Sequence, residues 1–518
     1  MSPATAGNAD TEPIALGALL TRAAERWPDR VAVAQADRTL TYRELEDEAR
    51  SFAMGLAAFG LEPGEKALLQ IPNSPEFLIA LFGALTAGVV PVMCLPGHRD
   101  AELAHFTRVC GAVAHLTTRH MAKLVSPPVR ALTTDVVLAA GRAYAKNVSE
   151  PVLDPDSPAL LLVSGGTTGL PKLIPRTHRD YLYNLSAAAR VCELSESDVY
   201  LAALPVAHNF PLACPGALGA MSLGSAVVFA ADPSPEAAFA AIERHRVTVT
   251  ALTPPLAGLW ASAAEWEPAD LGSLRLLQVG GAKLEAERAK EILPALGLDR
   301  ASNAGRMGLQ QVFGMAEGLV CFTRPDDPDE LVFESQGRPM SDQDEVRLMD
   351  ESGAEVPDGE VGELETRGPY TIAGYYNAPE ANARAFAPDG FYRSGDLARR
   401  LPSGHLVVVG RAKDVINRGG ETISAEEVEE HLHAHPEIDL AAAVPCPDEF
   451  LGEKICAAVV LRTGACESGP LDLPRLRAFL AARGLSAEKQ PDMLLQLPTL
   501  PMTPVGKVDK RAIAAQLR

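Results

Sequence analysis

Apolar positions along this chain alternate between two rhythms. From Ala15 to Trp27 they fall at helical spacing, and Thr41 with Glu44 forms a capping box that predicts a helix running to Gly60. Short apolar runs at Lys66 to Ile71, Val89 to Cys94, Leu201 to Leu204, Ala226 to Phe229, Val247 to Leu252 and Leu274 to Val279 have the length of buried strands. A helix predicted over Pro75 to Ala87 separates the first two runs, and strands alternating with helices imply a doubly wound parallel sheet. Residues Phe77 to Pro96 carry no charged side chain and approach the length of a membrane span. Gly83, Gly88 and Pro91 interrupt them, so a buried helix followed by a buried strand is expected. No internal repeat suggests a solenoid.

The pattern changes after the apolar Leu406 to Val409. A charged, glycine-rich joint from Gly410 to Gly420 leads into a compact α+β unit. There Ser424 and Glu427 cap a helix to about His433, Ala457 to Leu461 reads as a strand, and a helix spans Pro474 to Arg483. The expected fold class is therefore α/β: a large N-terminal domain with doubly wound parallel sheets, residues 1–412, plus a small C-terminal α+β lid domain, residues 413–518.

Size and composition agree with two domains. The 518 residues exceed what one hydrophobic core supports, and 47% hydrophobic with 22% charged residues is ordinary for a soluble globular protein. A formal net charge of −20 argues against nucleic acid and against an anionic membrane surface. The eight cysteines show no C-x-x-C pair or zinc spacing, which suits a reducing cytoplasm and no structural metal. Met1 to Pro13 is polar and acidic, without the pattern of a secretory signal, and reads as a frayed tail.

The chemistry begins where the apolar run Ala159 to Val163 empties into Ser164-Gly165-Gly166-Thr167-Thr168-Gly169-Leu170-Pro171-Lys172, continuing to His178. Glycines let backbone N–H groups approach a phosphate, the hydroxyls add donors, and Lys172 adds a compact positive charge. The P-loop of nucleotide triphosphatases does not fit: Lys172 follows Pro171, Leu173 replaces the magnesium-binding hydroxyl, and Pro171 and Pro175 oppose a helix starting at the lysine. The run does resemble the phosphate loop of the adenylate-forming superfamily, a Ser/Thr/Gly-rich stretch followed by Gly-x-Pro-Lys. The likeness extends from about residue 15 to residue 510.

Further stretches follow in that superfamily's order. Gly280-Gly281-Ala282 resembles the turn lining the adenine, and Val312-Phe313-Gly314-Met315 with Ala316-Glu317 resembles the segment that stacks on adenine and offers a carboxylate to Mg2+. Phe313 keeps a stacking face where a tyrosine is common, at the loss of a hydroxyl. Tyr392-Arg393-Ser394-Gly395-Asp396 resembles the motif whose aspartate accepts the ribose hydroxyls, Arg411 the arginine beside it, Lys413 the hinge, and Pro504-Val505-Gly506-Lys507 the catalytic lysine loop. The resemblance implies ATP and Mg2+ as cofactors, Lys507, Glu317 and His208 as catalytic residues, and a small domain that turns about Lys413 between two half-reactions, opening a channel near Gly419 and Gly420.

Pro205 to Gly216 closely resembles the aryl-acid AMP ligases of siderophore biosynthesis, which load an aryl carrier protein. On that resemblance the acid is held by His208, Asn209, Phe210, Cys214, Gly281 and Val320. A buried amide such as Asn209 makes sense if it bonds a substrate hydroxyl, since unpaired it costs on the order of 1–3 kcal/mol. In the subgroup, cysteine at 214 goes with salicylate and serine with 2,3-dihydroxybenzoate, while valine at 320 goes with the dihydroxy acid. The small Val320 also leaves room for a heteroaryl acid of the 3-hydroxypicolinate or 3-hydroxyquinaldate type. An aromatic acid–CoA ligase is the alternative within the same fold, and a non-catalytic scaffold would need none of Lys172, Glu317, Asp396, Arg411 and Lys507.

Overall fold

In the computed structural model the described residues are 15–124, 128–144, 151–164, 171–267, 269–298, 308–411, 414–418, 421–448, 451–462, 471–503 and 506–517. Their strands form four sheets. The largest has nine strands in the order Arg338–Pro339, Val320–Phe322, Gly308–Gly314, Leu276–Gly280, Val249–Leu252, Val199–Ala202, Ala226–Phe229, Val31–Gln35 and Arg38–Thr41. Its interior pairs are parallel, and antiparallel pairs finish both edges.

A six-stranded sheet runs Arg130–Thr133, Ala114–Thr117, Lys66–Gln70, Val90–Met93, Pro158–Val163 and Leu173–Thr177, parallel except for the last pair. The charge-free stretch behaves as expected: Pro75–Thr86 is a helix buried almost all round, and the buried strand Val90–Met93 follows. Among the described residues no helix is long and apolar enough to cross a membrane. Thr41 and Glu44 exchange both bonds of the capping box, but the helix ends at Ala58.

Two outcomes differ from the sequence expectation. The tail of the phosphate loop, Leu173–Thr177, is a strand that pairs antiparallel with Pro158–Val163. Pro175 is tolerated there because this strand forms the sheet's edge. The second difference is an antiparallel sheet of Glu345–Met349, Val361–Arg367, Tyr392–Arg400 and Leu406–Arg411. Its first three strands mix apolar residues with charges, such as Arg347 paired directly opposite Glu365, so no apolar run reveals them.

The small domain packs the helices Ala425–His433 and Leu473–Ala482 on a five-stranded sheet around Ile416, Val428, Ala443, Ala457 and Leu476. Ser424 accepts the N–H of Glu427 as predicted. On the opposite face a second cluster joins Val444, Cys446, Cys456, Leu500 and Ile513.

Candidate active site

The carboxyl ends of several parallel strands converge where ligands bind in open α/β sheets. Pro158–Val163 ends at Ser164, Val199–Ala202 leads into the 205–216 segment, Val249–Leu252 into Thr253, Leu276–Gly280 into Gly281, and Gly308–Gly314 into Met315. Residues Gly165, Gly166, Thr167, Thr168, Gly169, Leu170, Lys413, Gly419, Gly420, Pro504 and Val505 lie outside the described residues.

The neck of the phosphate loop is closed by two bonds. Ser164 N donates to Lys172 O, and Lys172 N donates to Ser164 Oγ, both at 2.9 Å. Lys172 Nζ lies 4.4 Å from the centroid of the Tyr375 ring. Tyr375 donates its hydroxyl proton to Glu317 Oε1 at 2.8 Å, and Tyr392 Oη stands 2.9 Å from Tyr375 Oη. Burial and the Glu317 carboxylate both push the Tyr375 hydroxyl well above its ordinary pKa, so it stays a donor. Lys172 and Glu317 are thus tied through one tyrosine ring.

Asp396 and Arg411 face each other across neighbouring strands, and Arg411 Nε donates to Asp396 Oδ1 at 2.7 Å. Asp396 is buried, and its own N–H bonds Ser394 Oγ. Lys507 comes to the same place from the small domain. A turn holds it: Thr503 N donates to Lys507 O, Gly506 N to Thr503 O, and Lys507 N to Thr503 Oγ1. Although Lys507 is solvent-accessible along the cleft, protein surrounds its ammonium closely. That desolvation, with repulsion from Arg411 outweighing attraction to Asp396, lowers its pKa.

Gly281 adopts φ +87°, and a Cβ built there would lie 3.2 Å from Lys507 Cε. A Cβ on Gly280 would lie 3.0 Å from the Phe210 ring. Two adjacent glycines therefore touch Lys507 on one side and the Phe210 ring on the other.

That segment is built by the short helix Asn209–Ala213. His208 Nδ1 accepts the N–H of Phe210, which leaves the imidazole proton on Nε2. Burial, then Lys507, lowers the His208 pKa to about 4, so the ring is neutral near pH 7. Asn209 Oδ1 accepts the hydroxyl of Tyr181 at 2.9 Å, and its Nδ2 points at Cys214 Sγ, 3.5 Å away. Of the Asn209 amide expected to meet a substrate hydroxyl, the oxygen is thus already engaged by the protein. Burial pushes the Cys214 thiol up to about 12, so it stays a neutral, weak donor. Val320 is buried opposite Gly314. Phe313 is half-buried and packs towards Leu319 and Cys321.

Beneath the segment, Arg176 is fully buried. It bonds Asp180 at 2.8 Å, Ala316 O at 2.9 Å and Tyr370 O at 3.3 Å, and its guanidinium lies 4.8 Å from the Tyr181 ring centroid. Arg176 therefore fixes both the Ala316-Glu317 backbone and the tyrosine that orients Asn209. The sequence held no signal for these roles of Arg176, Tyr181 and Tyr375. A cavity of about 370 Å³ lies elsewhere, between Lys66, Val90, Ser157, His178 and Tyr376. The position of the chemistry comes from the converging side chains instead.

The AMP-binding enzyme family matches residues 20–376, and the AMP-binding enzyme C-terminal domain matches residues 427–507. The chain belongs to the adenylate-forming AMP-binding enzymes. It is 54% identical to the salicyl-AMP ligase / salicyl-S-ArCP synthetase of Mycobacterium tuberculosis, over 97% of this chain and 90% of that protein. Identity to the 2,3-dihydroxybenzoate-AMP ligase of Bacillus subtilis is 45%, over 96% of this chain and 92% of the relative. The apo structure of Mycobacterium smegmatis MbtA superposes with a TM-score of 0.73 at 52% identity, covering 98% and 95% of the two chains.

Proposed function

We infer that this protein is an aryl-acid AMP ligase. It uses ATP to activate a salicylate- or 2,3-dihydroxybenzoate-type acid, releases pyrophosphate, and transfers the aryl group to an aryl carrier protein in siderophore biosynthesis. The observation that carries this reading is the meeting of Lys507, the Gly280-Gly281 turn and Phe210 at one point.

The acid arrives ionised, since a carboxylic acid of ordinary pKa is deprotonated near pH 7, and needs no general base. One of its oxygens forms a bond to the α-phosphorus while the bond from that phosphorus to the pyrophosphate oxygen breaks. The barrier is repulsion between anions, which positive charge fixed at the reacting oxygens lowers. Lys507 supplies that charge between the carboxylate and the α-phosphate. Lys172 and the hydroxyl-rich loop hold the outer phosphates, Asp396 with Arg411 receives the ribose, and Phe313, Val312 and Gly314 flank the adenine. Neutral His208 offers Nε2–H to the incoming carboxylate without adding a charge.

Glu317 would hold Mg2+. Tyr375 occupies one of its oxygens and leaves the other, and among the described residues no cluster of three metal-binding side chains forms. A single carboxylate supplemented by phosphate oxygens and water suits magnesium, which when bound offsets phosphate charge. In the second step a thiol attacks the acyl carbon, the thioester forms and AMP leaves.

Cys214 and the likeness to a salicyl-AMP ligase favour salicylate; Val320 favours acids with a further substituent. We place the enzyme in the cytoplasm, in keeping with seven described cysteines that are buried free thiols. Pyrophosphate exchange over salicylate, 2,3-dihydroxybenzoate, 3-hydroxypicolinate, benzoate and a fatty acid tests the reading. Salicylate is expected to give the highest kcat/KM; exchange with only the fatty or unhydroxylated acids would overturn the assignment. Transfer to coenzyme A in preference to a phosphopantetheinylated aryl carrier protein would overturn the acceptor.

A further inference from the structure

Lys507 reaches the site only because the small domain is seated where it is, and ion pairs cross the boundary: Arg462–Glu291 at 3.4 Å and two closer ones. Lys283 follows the Gly280-Gly281 turn by two residues, and its Nζ donates to Glu430 Oε2 of the helix Ala425–His433 at 2.9 Å. Arg288, on the helix Ala286–Ala295, donates from Nη2 to Asp439 Oδ1 of the strand Ile438–Asp448 at 2.8 Å. Both cations are largely buried, at 14% and 16% side-chain exposure, so water screens these pairs less than surface ones. The fold also makes room for the second pair: a Cβ on Gly258 would come within 2.8 Å of Arg288 Nη2.

The acceptors and Lys507 belong to one packed body. The strand carrying Asp439 also carries Val444 and Cys446, which pack with Leu500 and Val508 on either side of the Lys507 turn, and Met502 pairs with Val508 across it. The helix carrying Glu430 lies on the same sheet. A shift at Asp439 and Glu430 therefore moves Lys507, and interiors this closely packed transmit such shifts rather than absorb them.

We propose that Arg288–Asp439 and Lys283–Glu430 form a charge latch that seats the small domain for adenylate formation, which makes Lys283 and Arg288 positioning residues for Lys507. The proposal rests on the role given to Lys507 above. Opening the latch removes Lys507 from the reacting oxygens and leaves the acid and nucleotide contacts of the large domain in place. Turnover is lost more than substrate affinity.

The test is a charge exchange in the full-length enzyme. Arg288→Glu and Asp439→Arg are each expected to lower kcat for pyrophosphate exchange with salicylate at least tenfold and to change KM for ATP and acid less than about threefold. The double variant is expected to recover to within about threefold of wild type, which a merely structural role for either residue would not produce. If Arg288→Glu fails to fold, as a thermal melt would show, Lys283→Glu with Glu430→Lys provides the same cycle. Single reversals that leave kcat unchanged, or a double variant no better than the singles, would overturn the latch. Lys507→Ala separates the two claims. Full exchange in that variant removes the role of Lys507 itself, whereas its loss alongside unaffected reversals removes only the latch.

Discussion

At the scale of single residues, the site depends on what is absent as much as on what is present. At Gly281, φ +87° strains any side chain, and a Cβ would crowd Lys507 Cε at 3.2 Å. Gly281→Ala is expected to lower kcat for pyrophosphate exchange tenfold or more while the melting temperature changes little; unchanged kcat would contradict the placement of Lys507. Cys214 carries a neutral thiol in the proposed acid pocket, and a hydroxyl there is a stronger partner for a second phenol. Cys214→Ser should raise the ratio of kcat/KM for 2,3-dihydroxybenzoate over salicylate by about tenfold, corresponding to roughly 1.4 kcal/mol. Competitive exchange assays read that ratio, and no shift would remove the specificity argument. Arg176 answers to three separate partners, so replacing it strands Asp180 and two carbonyls in the interior. Arg176→Met should cost about 3–5 kcal/mol in denaturant unfolding, with Arg176→Lys intermediate. A loss within the range of an ordinary surface change would mean that Asp180 is satisfied without it.

At the scale of elements, local signals carried far where one rhythm ran uninterrupted. The capping box at Thr41 is formed as expected, and Thr41→Ala should cost about 1 kcal/mol of stability with exchange activity retained, because the helix start lies in no part of the site. Equal stability of the two proteins in a denaturant titration would mean that the cap contributes nothing. The strand Ala226–Phe229 matches its apolar run residue for residue. Leu173–Thr177 was not legible as a strand, because Pro175 and Arg176 mask the pattern. Arg176 is buried by ionic and carbonyl partners rather than by apolar ones, and Pro175 needs no ladder bond at an edge. The antiparallel sheet from Glu345 to Arg411 stayed hidden because cross-strand ion pairs hold much of its surface.

At the scale of the whole molecule, the latch lies in a crowd of acids whose protonation belongs to the docked arrangement. Burial, partly offset by Lys283, raises Glu285 from 4.5 to about 7; burial together with Glu429 raises Glu426 from 4.5 to about 7. Lys283, Lys510 and Glu430 face the same cluster. Carboxyls with raised pKa hold protons that they would release on separation, so the contribution of Glu285 and Glu426 to docking is present below about pH 4.5, is lost as the pH rises to about 7, and then levels off. His433, lowered from 6.5 to about 4 first by burial and then by Arg288, opposes this trend below pH 6.5, so the decline should be clearest just below pH 7. Energy transfer between dyes on the two domains should report looser docking on going from pH 6 to pH 7.5, and Glu285→Gln with Glu426→Gln should flatten that response. Tighter docking of the wild type as the pH rises would contradict it.

The sequence by itself determined the order of the chemistry. Short-range patterns, a strand ending in a glycine-rich turn or a lysine just behind a proline and a glycine, are written in neighbouring residues and need no fold to be read. Tertiary structure decided which of these residues meet, and it added partners without a pattern of their own. Tyr375 joins Lys172 to Glu317, Tyr181 occupies Asn209, and Arg288 and Lys283 hold the domain that brings Lys507 to Gly281. Such contacts join residues far apart in the chain, and only packing within and between the two domains brings their atoms within bonding distance.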